Sequence, residues 1–189
     1  MAPTSSNDGS DFFEENYHRI YRYVRGMVRD PDEAEDLTQE ALLRAHRERD
    51  TVQDPGALLA WLYRIATHVA LDRLRQRTSR TAKQSAVDVT DLDPPDLATP
   101  SLDQSLAQGE MSACVQRYLV NLSDTYRAAI LLHDCHGLSG PEIAAVLDVP
   151  LPTVKIRLHR ARERLKASLE SGCTFSCDER GVLVCEPKK

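Results

Sequence analysis

The stretch from Leu138 to Lys166 contains two helix patterns separated by a short break. Ser139 is a favourable N-cap, and Glu142 three residues later completes a capping box. Asp148-Val149-Pro150 ends the first helix, and Pro152-Thr153 opens the second. The second helix is strongly basic. A helical hairpin with a solvated cationic face is the simpler alternative, but the agreement of break, caps and charge favours a helix-turn-helix that enters a DNA major groove.

Composition favours an all-α chain built from two small domains. With 189 residues and 41% hydrophobic content, the chain can bury a real core. Aromatic residues are only 5%, and strand-like alternation is scarce before the last residues. We therefore expect two helical domains, at residues 11–80 and 109–170, the second containing the helix-turn-helix. An acidic flexible linker at 81–108 is predicted to join them, and a short cysteine-rich tail at 171–189 to follow.

The net charge of −5 argues at first sight against a nucleic-acid partner, but the charge is segregated. Residues 61–83 carry six basic side chains and one acid, whereas residues 85–110 carry six acids and no Lys or Arg. Two basic helices flanking an acidic segment indicate two DNA contacts.

Other features limit the class of protein. No apolar run approaches the length of a membrane span, and the polar N-terminus is not signal-like, which predicts a cytoplasmic protein. The chain has no phosphate-binding glycine loop, HExxH motif or plausible Ser/His/Asp set, so we expect no enzyme. His133–His136 is tempting as a metal cluster, but consecutive helical residues point in different directions. Cys135 is instead predicted to be a small core residue.

Three ordered motifs carry a family resemblance: AEDLTQEALLRA from Ala34, WLYRIATHVALDRLRQR from Trp61 and PTVKIRLHRARERL from Pro152. They resemble the extracytoplasmic-function (ECF) sigma factors of bacterial RNA polymerase. The resemblance covers nearly everything from Phe12 to Leu169. It implies core RNA polymerase and promoter DNA as partners, with domain two at residues 11–80 and domain four at 109–170. An anti-sigma factor is compatible with the family but not indicated by the sequence.

The resemblance also assigns residue roles. The polymerase-docking face would comprise Asp36, Leu37, Gln39, Glu40 and Leu43. His68 stands where family members commonly have Asn, and Trp61 is expected in the core. The loop before the Trp61 helix, at 49–55, would help form a pocket for an extruded base. Readers of the −10 element would be Arg64, His68, Arg73, Arg75 and Arg77, and readers of the −35 element would be Thr153, Lys155, Arg157, Arg160 and Arg164.

The tail adds cysteines beyond the usual family pattern. Cys173, Cys177 and Cys185 flank a predicted turn at 178–181, and a hairpin would bring them together. With Cys114 as fourth ligand, they are expected to bind one soft metal ion: zinc, cadmium or copper. The tail resembles those of metal-responsive ECF sigma factors. An unstructured tail and a reversible disulfide sensor are the alternatives. At the level of the whole chain, the alternative is a stand-alone metal- or redox-responsive helix-turn-helix repressor.

Overall fold

Three long helices form the N-terminal domain. The computed structural model describes residues 8–84, 118–119, 121–177 and 183–188. Within it, α1 spans Asp8–Val28, α2 spans Pro31–Glu48 and α3 spans Leu58–Gln84, with short 3-10 turns at Arg49–Thr51 and Pro55–Ala57. The side chain of Asp30 accepts a hydrogen bond from the Glu33 amide at 2.9 Å and so caps the N-terminus of α2.

The second domain consists of shorter helices. Helix α4 spans Asp124–Ile130 and continues into a π-helical segment, Leu131–Cys135. The chain then turns at Gly137, which has a positive φ of 73°. Helix α5 spans Gly140–Leu147 and α6 spans Leu151–Gly172. The Ser139 amide donates to the Glu142 carboxylate at 2.7 Å, as the predicted capping box requires. Asp148 then adopts a left-handed conformation, which separates α5 from α6.

The cysteine tail contains a two-stranded antiparallel ribbon. Strand β1 (Cys173–Cys177) follows α6 without an intervening residue and pairs with β2 (Leu183–Pro187). In the register, Phe175 lies opposite Cys185. The two domains are all-helical, which confirms the predicted fold class, and the ribbon occupies the place of the predicted hairpin. The predicted turn at 178–181 lies outside the described residues, as do Cys114 and most of the linker.

Both domains contribute to one buried cluster. Its largest fully buried side chains include Tyr23 and Tyr63 from the first domain and Leu132 and Ile143 from the second. Helix α3 packs against α5 as well as against α1 and α2. Helix α5 therefore packs against both of the predicted DNA-reading helices, α3 and α6.

Three local expectations differ from the structure. Helix α1 begins at Asp8, before the predicted start of the first domain at residue 11. Helix α3 continues to Gln84, into the predicted linker, because no Gly or Pro interrupts it after residue 56. Cys135 is exposed rather than in the core, because the π-helical segment turns it away from the buried Leu131 and Leu132. No helix in the described ranges is both long enough and apolar enough to cross a membrane.

Candidate polymerase and promoter interfaces

One face of α2 forms a shallow groove next to the predicted docking residues. Asp36, Gln39 and Leu43 are exposed on this face, and Leu43 is 58% exposed despite its apolar side chain. Glu40 makes an i,i+4 ion pair with Arg44. The full lining is Asp36, Gln39, Glu40, Leu43, Arg44 and Arg47. The groove therefore has mixed charge around an apolar centre, whereas the sequence suggested an acidic and apolar face.

Leu37 does not belong to this face. It is only 1% exposed and lies in the core with Ala34 and Ala41, which are three and four residues away on the same helical stripe. Its predicted docking contact is wrong, because a buried side chain cannot touch a partner without unfolding the helix bundle. Leu43 is the apolar side chain that the surface offers instead.

Helix α3 divides the predicted −10 readers into two groups. Arg64, His68 and Arg75 are exposed and follow one another at helical spacing along the same face. Arg75 also pairs with Asp72 at 3.0 Å, the surface pair expected from their spacing. Trp61 is half-buried and packs against the core, in agreement with its predicted role.

Arg73 and Arg77 face α2 rather than the exposed side of α3. Glu33, whose side chain is only 12% exposed, approaches Arg77 Nη2 at 2.5 Å and Arg73 Nη1 at 3.8 Å. The family resemblance assigned both arginines to DNA. A carboxylate held between two guanidinium groups instead ties the docking helix to the reading helix, and a phosphate contact by either arginine would compete with Glu33.

The second helix of the helix-turn-helix presents its basic face to solvent. Val154, Leu158 and Ala161 form the buried stripe of α6. Among the predicted −35 readers, Lys155 and Arg160 are exposed, and Thr153 and Arg157 are half-buried at its edge. Arg164 is exposed but lies over the ring of Tyr126, 4.9 Å from the ring centre, where a cation–π contact holds it.

Ile156 was missed by the sequence interpretation. It is 51% exposed and lies between Lys155 and Arg157 on the face of α6 opposite the buried stripe. It follows the buried Val154 by two positions, and side chains two positions apart on a helix point to nearly opposite sides. An exposed isoleucine at this position can contact a thymine methyl group in a major groove.

Arg162 is a positioning residue rather than a reader. Its guanidinium donates to Asp134 Oδ2 at 3.1 Å through Nε and lies 3.0 Å from His133 Nδ1 through Nη2. Partial burial would raise the pKa of Asp134, but hydrogen bonds from Arg162 and His133 outweigh it and lower that pKa below the ordinary value. The His133–Asp134 pair thus anchors α6 to the π-helical segment.

The tail cysteines lie at related positions of the ribbon. Cys185 is opposite Phe175, and Phe175 lies between Cys173 and Cys177 along β1. Because side chains alternate along strands, positions 173, 177 and 185 belong to the same face of the ribbon. Within the described residues no cluster of three metal-ligating side chains occurs, and Cys114 falls outside them.

Comparison with known proteins identifies the family. Residues 12–80 match the family model for sigma-70 region 2, and residues 112–165 match that for sigma-70 region 4. The ECF RNA polymerase sigma factor SigW of Bacillus subtilis is 33% identical over 161 residues, covering 80% of this chain and 83% of that protein. The ECF RNA polymerase sigma factor SigE of Mycolicibacterium smegmatis is 36% identical over 148 residues, covering 78% of this chain and 56% of that protein.

A solved structure agrees with these relatives. The sigma factor RpoE of Bartonella quintana, determined in complex with the anti-sigma factor NepR, superposes with a TM-score of 0.64 and 26% identity. The superposition covers 85% of this chain and 97% of that one. With both sigma regions present in order and a relative that is 33% identical and matched over 83% of its length, the chain belongs to the ECF sigma factors of bacterial RNA polymerase.

Proposed function

We propose that this RNA polymerase ECF sigma factor docks on core polymerase through α2, reads promoter DNA through α3 and α6, and is regulated by metal binding to its cysteine tail. Sigma factors are transcription initiation factors and not enzymes, as predicted from the sequence. The observation that supports these roles best is the division of α6 into a buried apolar stripe and an exposed basic face. This is the arrangement that a major-groove helix needs.

The α2 groove is the proposed polymerase contact. Leu43 supplies apolar area at its centre that would be buried on binding, and the charged rim would orient the partner. The sharpest test replaces Asp36, Gln39 and Leu43 by Ala in the full chain and measures binding to core polymerase. All three are exposed, so folding should be retained. The assignment fails if the folded triple variant binds core polymerase with unchanged affinity.

For the −10 element, the proposed contact face is Arg64, His68 and Arg75. Arginine can donate hydrogen bonds to phosphates and to guanine edges, and His68 can donate one hydrogen bond to a base or phosphate. Arg73 and Arg77 are proposed to contact DNA only if their ion pairs with Glu33 are exchanged for contacts with phosphate. Arg64→Ala should therefore weaken open-complex formation more than Arg73→Ala. Equal losses in promoter-melting assays would contradict this division of α3.

The −35 contact is proposed to centre on Lys155, Arg157 and Arg160, with Thr153 and Arg164 at its edges. A base-reading arginine should cost about 1–3 kcal/mol and relax specificity at one position, whereas a phosphate anchor weakens all sequences alike. Arg157→Ala and Arg160→Ala can be compared on a panel of promoters mutated singly in the −35 element. Normal selectivity and activity in both variants would remove them from the contact.

Metal regulation is proposed through Cys114, Cys173, Cys177 and Cys185. A Cβ added at Gly172 would overlap the Tyr118 hydroxyl, so the start of the ribbon packs closely against a residue only four positions after Cys114. This supports Cys114 as the ligand that comes from outside the tail. Thiolates bind soft ions such as zinc, cadmium or copper, so affinity should rise with pH as protons are released.

The ribbon register adds a condition to this proposal. Four residues of regular strand span about 13 Å between Cys173 and Cys177, whereas two sulfurs on one zinc ion are at most about 4.6 Å apart. Cys185, diagonal to each of them, can join either one. Binding of one ion by all three tail cysteines would therefore require β1 to bend. The difference in metal affinity between the bent and the straight ribbon would drive the switch.

The same register weighs against the redox alternative. Diagonal partners across an antiparallel pair are about 7–8 Å apart at Cα, beyond the usual range for a disulfide. The test is the metal content of anaerobically purified protein and metal-dependent transcription in single Ser variants, with Cys135→Ser as the matched control. Loss of a stoichiometric ion in Cys173→Ser and Cys185→Ser but not in the control is expected. Transcription indifferent to zinc, cadmium and copper, with no bound ion, would refute the site.

The primary experiment is in vitro transcription with core polymerase in the presence and absence of this protein. Promoter-specific initiation only in its presence is the expected result, while DNA binding that blocks transcription without polymerase contact would favour the repressor. RpoE was solved with an anti-sigma factor, and such a partner is compatible with this chain. Co-purification of the full chain tests that partnership separately.

A further inference from the structure

Two helices of the chain carry a glutamate at the third position after the N-cap, and the two side chains take different directions. In α5, Glu142 accepts a hydrogen bond from the Ser139 amide at 2.7 Å and completes the capping box. In α2, Glu33 occupies the corresponding position. Its carboxylate turns to α3, where it forms ion pairs with Arg73 and Arg77. Glu33 is thus directed at two arginines of the neighbouring helix.

The carboxylate of this group is more deeply buried than the guanidinium groups that it pairs with. The side chain of Glu33 is 12% exposed, whereas those of Arg73 and Arg77 are 40% and 47% exposed. Glu33 Oε2 is buried and accepts no aligned hydrogen bond from the described residues, although Arg77 Nη2 lies 2.5 Å away. Attraction between opposite charges therefore holds the pair. A carboxylate left here without its arginines would be a buried and unpaired charge, which is strongly unfavourable.

The two paired arginines lie on a different side of α3 from the other predicted readers. Arg73 and Arg77 are about one helical turn apart and share a side, whereas Arg75 between them points nearly the opposite way. Arg75 shares its exposed side with Arg64 and His68, and these three form the reading face of α3. DNA bound along the reading face therefore does not reach the paired arginines.

A DNA phosphate would compete with Glu33 for the donors of Arg73 and Arg77, because carboxylates and phosphates accept from guanidinium groups in the same way. Two guanidinium groups face one carboxylate, so one positive charge remains uncompensated. A phosphate that took both arginines would leave Glu33 buried and unpaired. This side of α3 is therefore basic in sequence but a poor phosphate site while Glu33 is present.

We propose that Glu33 is a specificity-determining residue: its carboxylate occupies the place of a DNA phosphate between Arg73 and Arg77, and so restricts DNA to the reading face of α3. Random DNA is held mainly by phosphate contacts and can use any basic surface, whereas base contacts fix a promoter in one position. Glu33 therefore raises the ratio of promoter affinity to random-DNA affinity, because it removes a surface that only random DNA would use. The consequence for promoter choice rests on the proposed function, but the masking of the arginines does not.

The test is binding of the full chain to a random-sequence duplex across salt concentrations. Glu33→Gln keeps the size of the side chain and removes its charge. Each phosphate newly contacted steepens the dependence of log affinity on log salt by about 0.9. We expect Glu33→Gln to bind more tightly, with a slope steeper by about 0.9 if one arginine gains a phosphate and by about 1.8 if both do. Its advantage over the wild type should shrink at least about 3.5-fold between 50 and 200 mM salt.

Two further variants show whether the arginines cause the change. Glu35→Gln removes the same charge from an exposed position of the same helix, so its slope should equal that of the wild type. Arg77→Ala should leave the wild-type slope unchanged, because Glu33 already masks that side chain. In the Glu33→Gln background, Arg77→Ala should reverse the steepening by about 0.9. A purely structural role for Glu33 would not produce this dependence on background.

Two results would overturn the proposal: a folded Glu33→Gln variant with an unchanged or shallower slope, or a shallower slope for Arg77→Ala alone. The second result needs no substitution of Glu33, so misfolding of Glu33→Gln, which circular dichroism detects, leaves the test intact. With core polymerase, random competitor DNA should inhibit promoter-specific transcription at lower concentration for Glu33→Gln than for the wild type, and equal inhibition would contradict a role in promoter selectivity. Absence of any transcription by the wild type would refute the proposed function, while the salt slopes still decide the masking.

Discussion

Leu37 and Leu43 belong to one helix and one sequence motif, yet Leu37 is 1% exposed and Leu43 58% exposed. The family resemblance assigned both to the docking face, because a motif records neighbours in sequence and not the direction of each side chain. Helical periodicity alone separates them, since Leu37 shares a stripe with Ala34 and Ala41. At the scale of single residues, helical periodicity would therefore have excluded Leu37 from the docking face that the motif predicted. Ile156 shows the same lesson on α6.

The two leucines give a matched pair of substitutions. Leu37→Ala should lower the free energy of unfolding by about 2–5 kcal/mol because it leaves a cavity in the core. Leu43→Ala should leave stability within about 0.5 kcal/mol but weaken binding to core polymerase. Thermal melting and a polymerase-binding assay measure the two effects. The reverse pattern would mean that the exposed and buried sides of α2 have been interchanged.

Ile156 is predicted to contribute to promoter recognition through apolar contact. Ile156→Ala should reduce affinity for a −35 duplex by roughly 1–2 kcal/mol, mainly for sequences that carry thymine at the contacted position, with melting temperature unchanged. Replacement of that thymine by uracil, which lacks the methyl group, should remove the difference between wild type and variant. A persistent difference on uracil-containing DNA would assign Ile156 another role.

At the scale of elements, caps and breaks were predictable and interhelical ion pairs were not. Helix caps and helix ends, such as those at Asp30, Ser139 and Gly137, involve residues only a few positions apart in sequence. The sequence therefore shows all the residues that take part. Glu33 pairs with Arg73 and Arg77 across two helices, and that requires knowing how α2 packs on α3. The sequence therefore located α3 but could not show that Arg73 and Arg77 lie beside Glu33 of α2.

The capping box of α5 gives a prediction at this scale. The Ser139 hydroxyl donates to Glu142 at 2.5 Å, whereas Ser123 at the N-cap of α4 makes no side-chain capping bond. Ser139→Ala should therefore cost about 1 kcal/mol, and Ser123→Ala clearly less. Melting temperatures of the two variants, with a decrease of about 2–4 °C expected for Ser139→Ala, provide the comparison. Equal losses would contradict a role for the box in starting the helix-turn-helix.

At the scale of the whole molecule, the docking of the two domains was not predicted. The Tyr63 hydroxyl lies 2.9 Å from His136 Nδ1, although the two residues are 73 positions apart in sequence. From the sequence alone, Tyr63 is an ordinary helix residue and His136 is the end of a helix. The family motifs describe each domain alone, and the composition of the linker says only that the domains can move apart. Packing between separately recognisable domains depends on shape, such as the small size of Gly26 opposite Leu131.

The packing of the two domains should respond to acid, because His136 lies against Tyr23 and Tyr63 at their boundary. Burial, with further contributions from Arg22 and Arg19, lowers the pKa of His136 to about 4 from its ordinary value of 6.5. The facing Tyr23 and Tyr63 are uncharged in this range, since burial raises the pKa of both. The packing is therefore fully favoured above about pH 6.5 and is weakened progressively as the pH falls toward 4. Small-angle scattering between pH 7.5 and 5 should show expansion that His136→Leu abolishes; expansion retained in that variant would exclude His136 as the cause.

The ribbon of the tail is joined directly to α6, the proposed recognition helix. β1 starts at the residue after α6 ends, and the Lys188 amide, just beyond β2, donates to the Gly172 carbonyl at 2.9 Å. Both ends of the ribbon are thus clamped to the same point of the helix. A change in the shape of the ribbon, such as the proposed metal binding would cause, would therefore act directly on the C-terminal end of α6, the helix that carries Ile156 and Arg160.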